Sequence, residues 1–92
     1  MSEFRKTVEI TNGRGLHARA SAKFVTYVSK LPDDLTVKVA KDGTEVTGTS
    51  IMGLMMLGAA KGDNIEIIVS GTQAESALEK LAGLVVDGFG ED

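Results

Sequence analysis

The side chain best suited to chemistry in this sequence is its single histidine, His17, which follows a glycine-rich segment. An imidazole can accept a group through a ring nitrogen near neutral pH. His17 stands where the glycine-rich segment gives way to helical periodicity, so we expect it at the start of a helix. Unpaired backbone N–H groups and a positive helix dipole at such a position stabilise an anion carried on the side chain. The position therefore points to phosphoryl chemistry.

Neighbouring residues favour the same interpretation. Arg19 lies two residues after His17, close enough for its guanidinium group to approach phosphate oxygens. Gly13 and Gly15 remove side chains from the preceding loop, so that the active site of another protein can approach the backbone. A lone histidine at such a junction is more often a solvated residue or a helix cap. The three features together favour phosphate as the ligand.

The composition excludes several other kinds of site. The chain has no cysteine, which rules out disulfides, thiolate nucleophiles and cysteine-based zinc sites, and one histidine alone cannot form a multi-histidine metal site. No serine lies in a Gly-x-Ser-x-Gly elbow, so the sequence offers no hydrolase triad. The glycine spacing also fails the dinucleotide-binding pattern and there is no Walker motif. We expect neither a metal ion nor a cofactor.

The chain has 92 residues, of which 42% are hydrophobic, and a formal net charge of −3. This length and composition predict one small domain over residues 1–92. The acidic balance and the small number of aromatic residues disfavour a ferredoxin-like nucleic-acid binder. The sequence begins without the apolar region of a signal peptide, and its apolar runs are too short to span a bilayer. We therefore expect a cytoplasmic monomer that does not insert into membranes.

Apolar periodicity in the first half predicts a strand, a helix and a hairpin. Alternation from Phe4 to Ile10 indicates a half-buried strand, and helical spacing from Ala18 continues until Leu31-Pro32 ends it. A second alternating run, 35–39, leads through Asp42-Gly43 to 44–47. Asp-Gly suits a type I′ turn, so these two runs form a hairpin.

The second half predicts a short helix, a strand and a longer helix. Residues 50–57 form an unusually apolar helix with Ser50 as its N-cap. The β-branched run 65–69 indicates a central strand. Thr72 and Glu75 have the spacing of a capping box that starts the last helix, after which the final few residues of the chain look loose.

The predicted order is β-α-β-β-α-β-α, with polar residues on one side of the strands. The economical fold is a two-layer α/β (α+β) sandwich with a four-stranded, mainly antiparallel sheet. The first and third helices cover its apolar face, and the short second helix lies at the edge.

Two segments together resemble a known family. Residues 15–19 read Gly-Leu-His-Ala-Arg and residues 50–55 read Ser-Ile-Met-Gly-Leu-Met. They are similar to the active-site and regulatory-site motifs of HPr, the histidine-containing phosphocarriers of the bacterial phosphoenolpyruvate-dependent phosphotransferase system. The resemblance implies an open-faced β-sandwich in which His17 accepts a phosphoryl group on Nδ1 from enzyme I and passes it to enzyme II A proteins. Such a protein is a carrier rather than an enzyme, and Arg19 would stabilise its phosphate.

The resemblance also assigns roles to the second motif. It implies that Ser50 is a regulatory phosphorylation site for HPr kinase/phosphorylase, a role compatible with the N-cap predicted from its position. A helix of two turns cannot bury apolar side chains on every side, so part of this segment must be exposed. The resemblance assigns the exposed part to partner docking, through Ala18, Ala22, Ile51, Met52 and Met55, while Lys23, Arg14 and Lys61 could form a basic rim.

The sequence departs from the family at a few positions and leaves its branch open. Ala20 stands where the family usually has proline, and Arg14 and Thr49 also differ from common residues. Alanine is a good helix former that retains its N–H, so we expect altered rigidity with phosphorylation preserved. The alternative function is a nitrogen-type regulatory protein of the same system, which acts by phosphorylation-dependent binding of target proteins.

Overall fold

The structure is a computed structural model, and it describes residues 3–91. Its elements follow the order β-α-β-β-α-β-α, as predicted. The strands are β1 (Glu3–Glu9), β2 (Thr36–Lys41), β3 (Thr44–Thr47) and β4 (Asn64–Ser70). The helices are α1 (Ala18–Ser29), α2 (Ile51–Met56) and α3 (Ala74–Val86), followed by a 3-10 turn at Gly88–Gly90.

The four strands form one antiparallel sheet in the order β1-β4-β2-β3. The central strand predicted from β-branched residues is β4, whose Ile67 pairs with Lys6 on one side and Val39 on the other. The β2–β3 hairpin turns at Asp42 and Gly43, with φ values of 50° and 84°. Both residues have the positive φ that a type I′ turn requires, which confirms the prediction.

Helices α1 and α3 cover one face of the sheet, and the other face is polar. The core contains the following buried residues from the helices and the sheet: Ala20, Phe24, Val28, Leu78, Leu81, Val85, Val39, Ile67 and Val69. On the opposite face Arg5 pairs with Glu66 at 3.0 Å and Lys38 with Glu45 at 3.5 Å. The fold is therefore the open-faced sandwich expected from one-sided burial.

The capping box predicted for α3 is wrong. The residue before the helix is Gln73, which adopts a left-handed φ of 59° and makes no side-chain cap. The N–H of Thr72 instead donates to Asp34 Oδ2 at 3.2 Å. Asp34 is distant in sequence, so this contact belongs to the tertiary fold. Because the N–H of Thr72 already donates to Asp34, it does not donate to the Glu75 side chain as a capping box requires.

The end of the described chain is packed rather than loose, contrary to expectation. Phe89 is only 1% exposed and lies in the core cluster. Its carbonyl accepts a hydrogen bond of 2.7 Å from Lys23 Nζ. An aromatic side chain supplies enough buried area to hold a short terminal segment against the domain. No helix within residues 3–91 is long and apolar enough to cross a membrane.

Gly15 sets the path of the loop before α1. It has a φ of 62°, and a Cβ atom there would lie 2.3 Å from the Ala59 carbonyl oxygen. That oxygen also accepts the N–H of Leu16 at 2.9 Å, so the two backbones are held together. Glycine is required both by the left-handed conformation and by this close approach.

We expect Gly15→Ala to lower the free energy of unfolding by roughly 3 kcal/mol or more, because left-handed strain and a backbone clash combine. Gly58 is the matched control, since its φ is 65° and a Cβ atom there would meet nothing within 4 Å. Gly58→Ala should cost only the strain, roughly 1–2 kcal/mol. Urea unfolding of both variants measures the difference, and equal losses would contradict the role given to the Ala59 contact.

Candidate functional site

His17 is the N-cap residue of α1, as its sequence position predicts. Its backbone is extended, with φ −76° and ψ −177°, and its carbonyl accepts the N–H of Ser21 at 2.9 Å. Its side chain makes no cap hydrogen bond. The preceding loop is held by the N–H of Gly15, which donates to the Asn12 carbonyl at 3.1 Å. The imidazole is thus free to make contacts outside the helix, and 21% of it is exposed.

A carboxylate from the far end of the chain holds one nitrogen of the imidazole. His17 Nε2 lies 2.9 Å and 3.0 Å from the two carboxylate oxygens of Glu91. In the neutral ring only a protonated Nε2 can donate to a carboxylate, which leaves the lone pair on Nδ1. Within residues 3–91 Nδ1 has no hydrogen-bond partner. The contact therefore selects the tautomer that is protonated at Nε2 and keeps the lone pair on Nδ1.

Asn12 also binds the Glu91 carboxylate that contacts His17. Its side chain is buried, with 1% of the residue exposed. The Asn12 amide donates to the Gly15 carbonyl at 2.8 Å and to Glu91 Oε1 at 3.1 Å. Because the amide faces two acceptors, its orientation is determined by the network. Asn12 thus ties the glycine loop to the carboxylate that holds the histidine.

These contacts keep Glu91 ionised. The hydrogen bond from His17 is the main cause that holds the pKa of Glu91 below its usual range. The Asn12 hydrogen bond and the charge of Arg19 also lower this pKa, as does the charge of His17 when its ring is doubly protonated, while desolvation raises it. Since the pKa of Glu91 is lower in the folded chain than in the unfolded chain, its ionised carboxylate stabilises the fold at pH values above the unfolded pKa. This contribution to the free energy of unfolding is lost as the pH falls through the lowered pKa of the folded chain.

The network borders an open cavity with a positive side. Its volume is about 260 Å³, and its lining comprises Gly13, Arg14, His17, Arg19 and Glu91. Within residues 3–91 neither arginine has a carboxylate oxygen within 4.0 Å. Two guanidinium groups without carboxylate partners suit an anion with several oxygens, such as phosphate.

The first turn of α1 follows His17 and contributes Arg19 to the lining of this cavity. The N–H groups of Ala18, Arg19 and Ala20 form no hydrogen bond within residues 3–91, as expected at a helix start. Ala20 keeps an N–H that the proline usual in the HPr motif lacks, and its side chain is fully buried. The described residues contain no cluster of three or more histidine, cysteine, aspartate or glutamate side chains suited to a metal ion. The arrangement can thus place an imidazole lone pair next to positively charged donors that suit a phosphoryl group.

Ser50 is the N-cap residue of α2, as predicted. Its backbone is extended, and its Oγ accepts the N–H of Gly53 at 2.9 Å. The residue is half-buried. The hydroxyl therefore has a structural role at the start of a helix that also carries exposed apolar side chains.

Helix α2 exposes part of its apolar surface, as its short length requires. Leu54 and Leu57 are buried, whereas Met52 is 69% exposed and Ile51 and Met55 are each 40% exposed. Met56, which was not among the predicted docking residues, is the most exposed at 79%. Helices α1 and α2 are in contact, and on α1 Ala18 is exposed and Ala22 half-buried. We call Ala18, Ala22, Ile51, Met52 and Met55 the α2 patch.

Sequence reasoning singled out His17, Arg19 and Ser50 as candidates but did not single out Asn12 and Glu91, which the structure brings together beside His17. The available signals were weak: an asparagine before a glycine loop, and a phenylalanine between glycines near the chain end. Lys23 was predicted in a basic rim, whereas its ammonium group bonds the carbonyl of Phe89. This bond holds the terminal segment that carries Glu91.

Comparison with known proteins gives a consistent result. The family model PTS-HPr, described as the PTS HPr component phosphorylation site, matches residues 4–87. The chain is 45% identical to the phosphocarrier protein HPr of Neisseria meningitidis over 87 residues, which are 95% of this chain and 96% of that one. It is 38% identical to the phosphocarrier protein NPr of Escherichia coli over 88 residues, 96% and 97% of the two chains. The crystal structure of HPr-C-His from Thermoanaerobacter tengcongensis superposes with a TM-score of 0.86 at 39% identity, covering 100% of this chain and 99% of that one.

Proposed function

The chain belongs to the HPr family of phosphocarrier proteins of the phosphotransferase system, and we propose that it carries the phosphoryl group on Nδ1 of His17. Members of this family are carriers and not catalysts. The observation that supports Nδ1 is the contact between His17 Nε2 and the Glu91 carboxylate. One ring nitrogen is engaged, so the other keeps the lone pair that attacks phosphorus.

The transfer is a direct displacement between two imidazoles. The Nδ1 lone pair forms a bond to the phosphorus of phosphorylated enzyme I as the phosphorus–nitrogen bond of the donor breaks. The donor imidazole leaves with that electron pair, and the Nε2 proton of His17 stays on the Glu91 side. Arg19 and the N–H groups at the start of α1 bind the phosphoryl oxygens and orient them for in-line attack. The reverse step delivers the group to an enzyme II A protein.

The α2 patch is the docking surface for these partners. Its methionines are flexible and adapt to several surfaces in turn, which suits a carrier that must visit both a donor and an acceptor. The patch is small, and a small apolar interface favours the rapid dissociation that turnover requires. The protein acts as a cytoplasmic monomer, without a metal ion or cofactor of its own.

Phosphorylation of Ser50 by an HPr kinase/phosphorylase would regulate this docking. The phosphate adds about −1.5 to −2 charges at the edge of the α2 patch. Because Ser50 already stands at the start of α2, the added charge is tolerated by the helix. The regulation is therefore electrostatic, at the interface, with the domain still folded.

A second candidate function is the nitrogen-type branch of the same system. The 38% identity over 96% of the chain to a protein named NPr supports it, since this value falls within the 36% to 45% range of relatives named HPr. In this role the phosphorylation state of His17 is read by target proteins through binding. The sugar-transport role and this regulatory role use the same phosphorylated histidine.

The deciding experiment is phosphorylation of the full chain by phosphoenolpyruvate, magnesium and a trace of enzyme I. Intact mass and peptide mapping at neutral and then acidic pH should find one acid-labile phosphoryl group on His17. Parallel reactions with sugar-type and nitrogen-type enzyme I separate the two branches, because the cognate enzyme should phosphorylate the chain faster. No label from either active enzyme, with the chain folded, would overturn the carrier proposal.

We expect Glu91→Ala to slow phosphoryl transfer by about tenfold, because His17 loses the contact that positions its ring. Imidazole ¹⁵N NMR at neutral pH should report less of the tautomer protonated at Nε2. Glu9→Ala is the matched control, as Glu9 is exposed and forms no ion pair within residues 3–91. Unchanged ring shifts in Glu91→Ala would remove Glu91 from the site, whatever happened to stability.

A further inference from the structure

The outer side of α2 carries two methionines whose sulfur chemistry has no part in phosphoryl transfer. Met52 is 69% exposed and Met56 is 79% exposed, more than any other large apolar side chain within residues 3–91. Because they are four residues apart, they lie on the same side of the helix. Leu54, which is fully buried, marks the opposite side. Both thioethers are therefore open to solvent.

These two methionines are the most accessible targets for a two-electron oxidant. The chain has no cysteine and no tryptophan, so no thiol or indole competes for the oxidant. A thioether reacts with peroxide to give methionine sulfoxide, and an exposed sulfur meets the oxidant more often than a covered one. Met55 is 40% exposed and should react more slowly. We therefore expect oxidation to be selective for Met52 and Met56.

The reaction turns an apolar side chain into a polar one. The sulfur of Met52 donates an electron pair to one oxygen of hydrogen peroxide, so that a sulfur–oxygen bond forms as the oxygen–oxygen bond breaks. The sulfur is oxidised by two electrons and the peroxide is reduced to hydroxide. The hydroxide then takes the proton of the new S–OH group and leaves as water. A methionine sulfoxide reductase with a thiol reductant removes the oxygen again as water, so the change is reversible.

The two positions differ in what a sulfoxide would disturb. Met52 belongs to the α2 patch, whereas Met56 does not. A sulfoxide oxygen at Met52 is a strong hydrogen-bond acceptor, and it must lose its water when a partner covers the patch. Neither side chain is part of the core cluster, so the domain should stay folded after oxidation. The effect on docking should therefore come from Met52 alone.

We propose that Met52 is a reversible oxidation site, at which conversion to the sulfoxide by a peroxide weakens the docking of enzyme I on the α2 patch. This inference rests on the proposed function, because that function supplies the docking step. Oxidation changes the surface that a partner covers and leaves His17 unaltered. A rise in peroxide would thus slow phosphoryl transfer through the carrier, and a reductase would restore it.

The first test is oxidation of the full chain by hydrogen peroxide, followed in time by peptide mapping. We expect Met52 and Met56 to be oxidised at least about threefold faster than Met55. The same chain unfolded in guanidinium chloride is the control, and there the three methionines should react at similar rates. Circular dichroism of the oxidised chain should match that of the untreated chain. Equal rates for the three methionines in the folded chain would overturn the selectivity.

Two variants form a matched pair for the effect on docking. Met56→Leu leaves Met52 oxidisable, and Met52→Leu leaves Met56 oxidisable, while both keep an apolar side chain at the changed position. Each is oxidised until less than about a tenth of Met55 has reacted, freed of peroxide, and compared with its own untreated form as a substrate of enzyme I. The KM for Met56→Leu should rise about tenfold on oxidation, and that for Met52→Leu should stay within about twofold.

Repair completes the test. Methionine sulfoxide reductases A and B with dithiothreitol should return the KM of oxidised Met56→Leu to the value of its untreated form. An unchanged KM in oxidised Met56→Leu, or an equal rise in both variants, would overturn the proposal. Failure of the untreated chain to accept a phosphoryl group would instead refute the proposed function, and with it the docking effect. That result is distinguishable because it precedes any oxidation.

Discussion

His17→Ala is expected to abolish phosphoryl acceptance from enzyme I, with a loss of more than about a thousandfold. His17 is the only histidine in the chain, and no other side chain offers an imidazole nitrogen to the donor. Its side chain makes no helix cap and is partly exposed, so its removal leaves the core unchanged. Intact mass after incubation with phosphoenolpyruvate and enzyme I measures the loss.

The control for this variant is Arg14→Ala, which removes a charge from the same cavity while leaving the nucleophile in place. It should still reach one phosphoryl group per chain, at a reduced rate. The far-ultraviolet circular dichroism of His17→Ala should match that of the unaltered chain. A stoichiometric acid-labile phosphoryl group on folded His17→Ala would refute the assignment of His17.

Ser50→Asp is expected to slow transfer from enzyme I by at least about tenfold while the domain stays folded. Aspartate is as good an N-cap as serine, so the hydrogen bond from Gly53 should be retained. The new charge lies beside Ile51 and Met52, whose exposed apolar surfaces must be covered when a partner docks. Initial rates of phosphorylation at several enzyme I concentrations measure the effect, which should appear mainly in KM.

Ser50→Ala distinguishes a docking effect from a helix effect. It removes the acceptor for the Gly53 N–H and should cost about 1 kcal/mol of stability, with little change in transfer rate. Ser50→Asp should instead keep its stability and slow the transfer of the phosphoryl group. If alanine slowed transfer as much as aspartate, the N-cap rather than the charge would be responsible, and electrostatic regulation would be wrong.

Local patterns predicted most of the fold correctly. The hairpin at Asp42-Gly43 and the central strand β4 depend on turn geometry and β-branched residues, which act over a few neighbours. The prediction of a capping box at Thr72 was wrong because the backbone N–H of Thr72 donates to Asp34, a residue distant in sequence. Predictions from local patterns were therefore correct where no distant residue bound the backbone group on which they depend.

The site was predictable only in its local part. His17, Arg19 and Ser50 lie at helix starts, where periodicity and capping preferences mark them. Glu91 lies 74 residues from His17 and 79 from Asn12, and no periodicity links positions so far apart. The expectation of a loose chain end failed because Phe89 finds space in the core.

The amino-acid sequence by itself determined the element order, the position of the one imidazole at the start of α1 and the exposed apolar character of α2. These follow from interactions between residues close in the chain. Only the tertiary structure decided which imidazole nitrogen is held by Glu91, and that Phe89 packs into the core. Both depend on side chains from distant elements meeting, and that meeting is set by how the whole core packs.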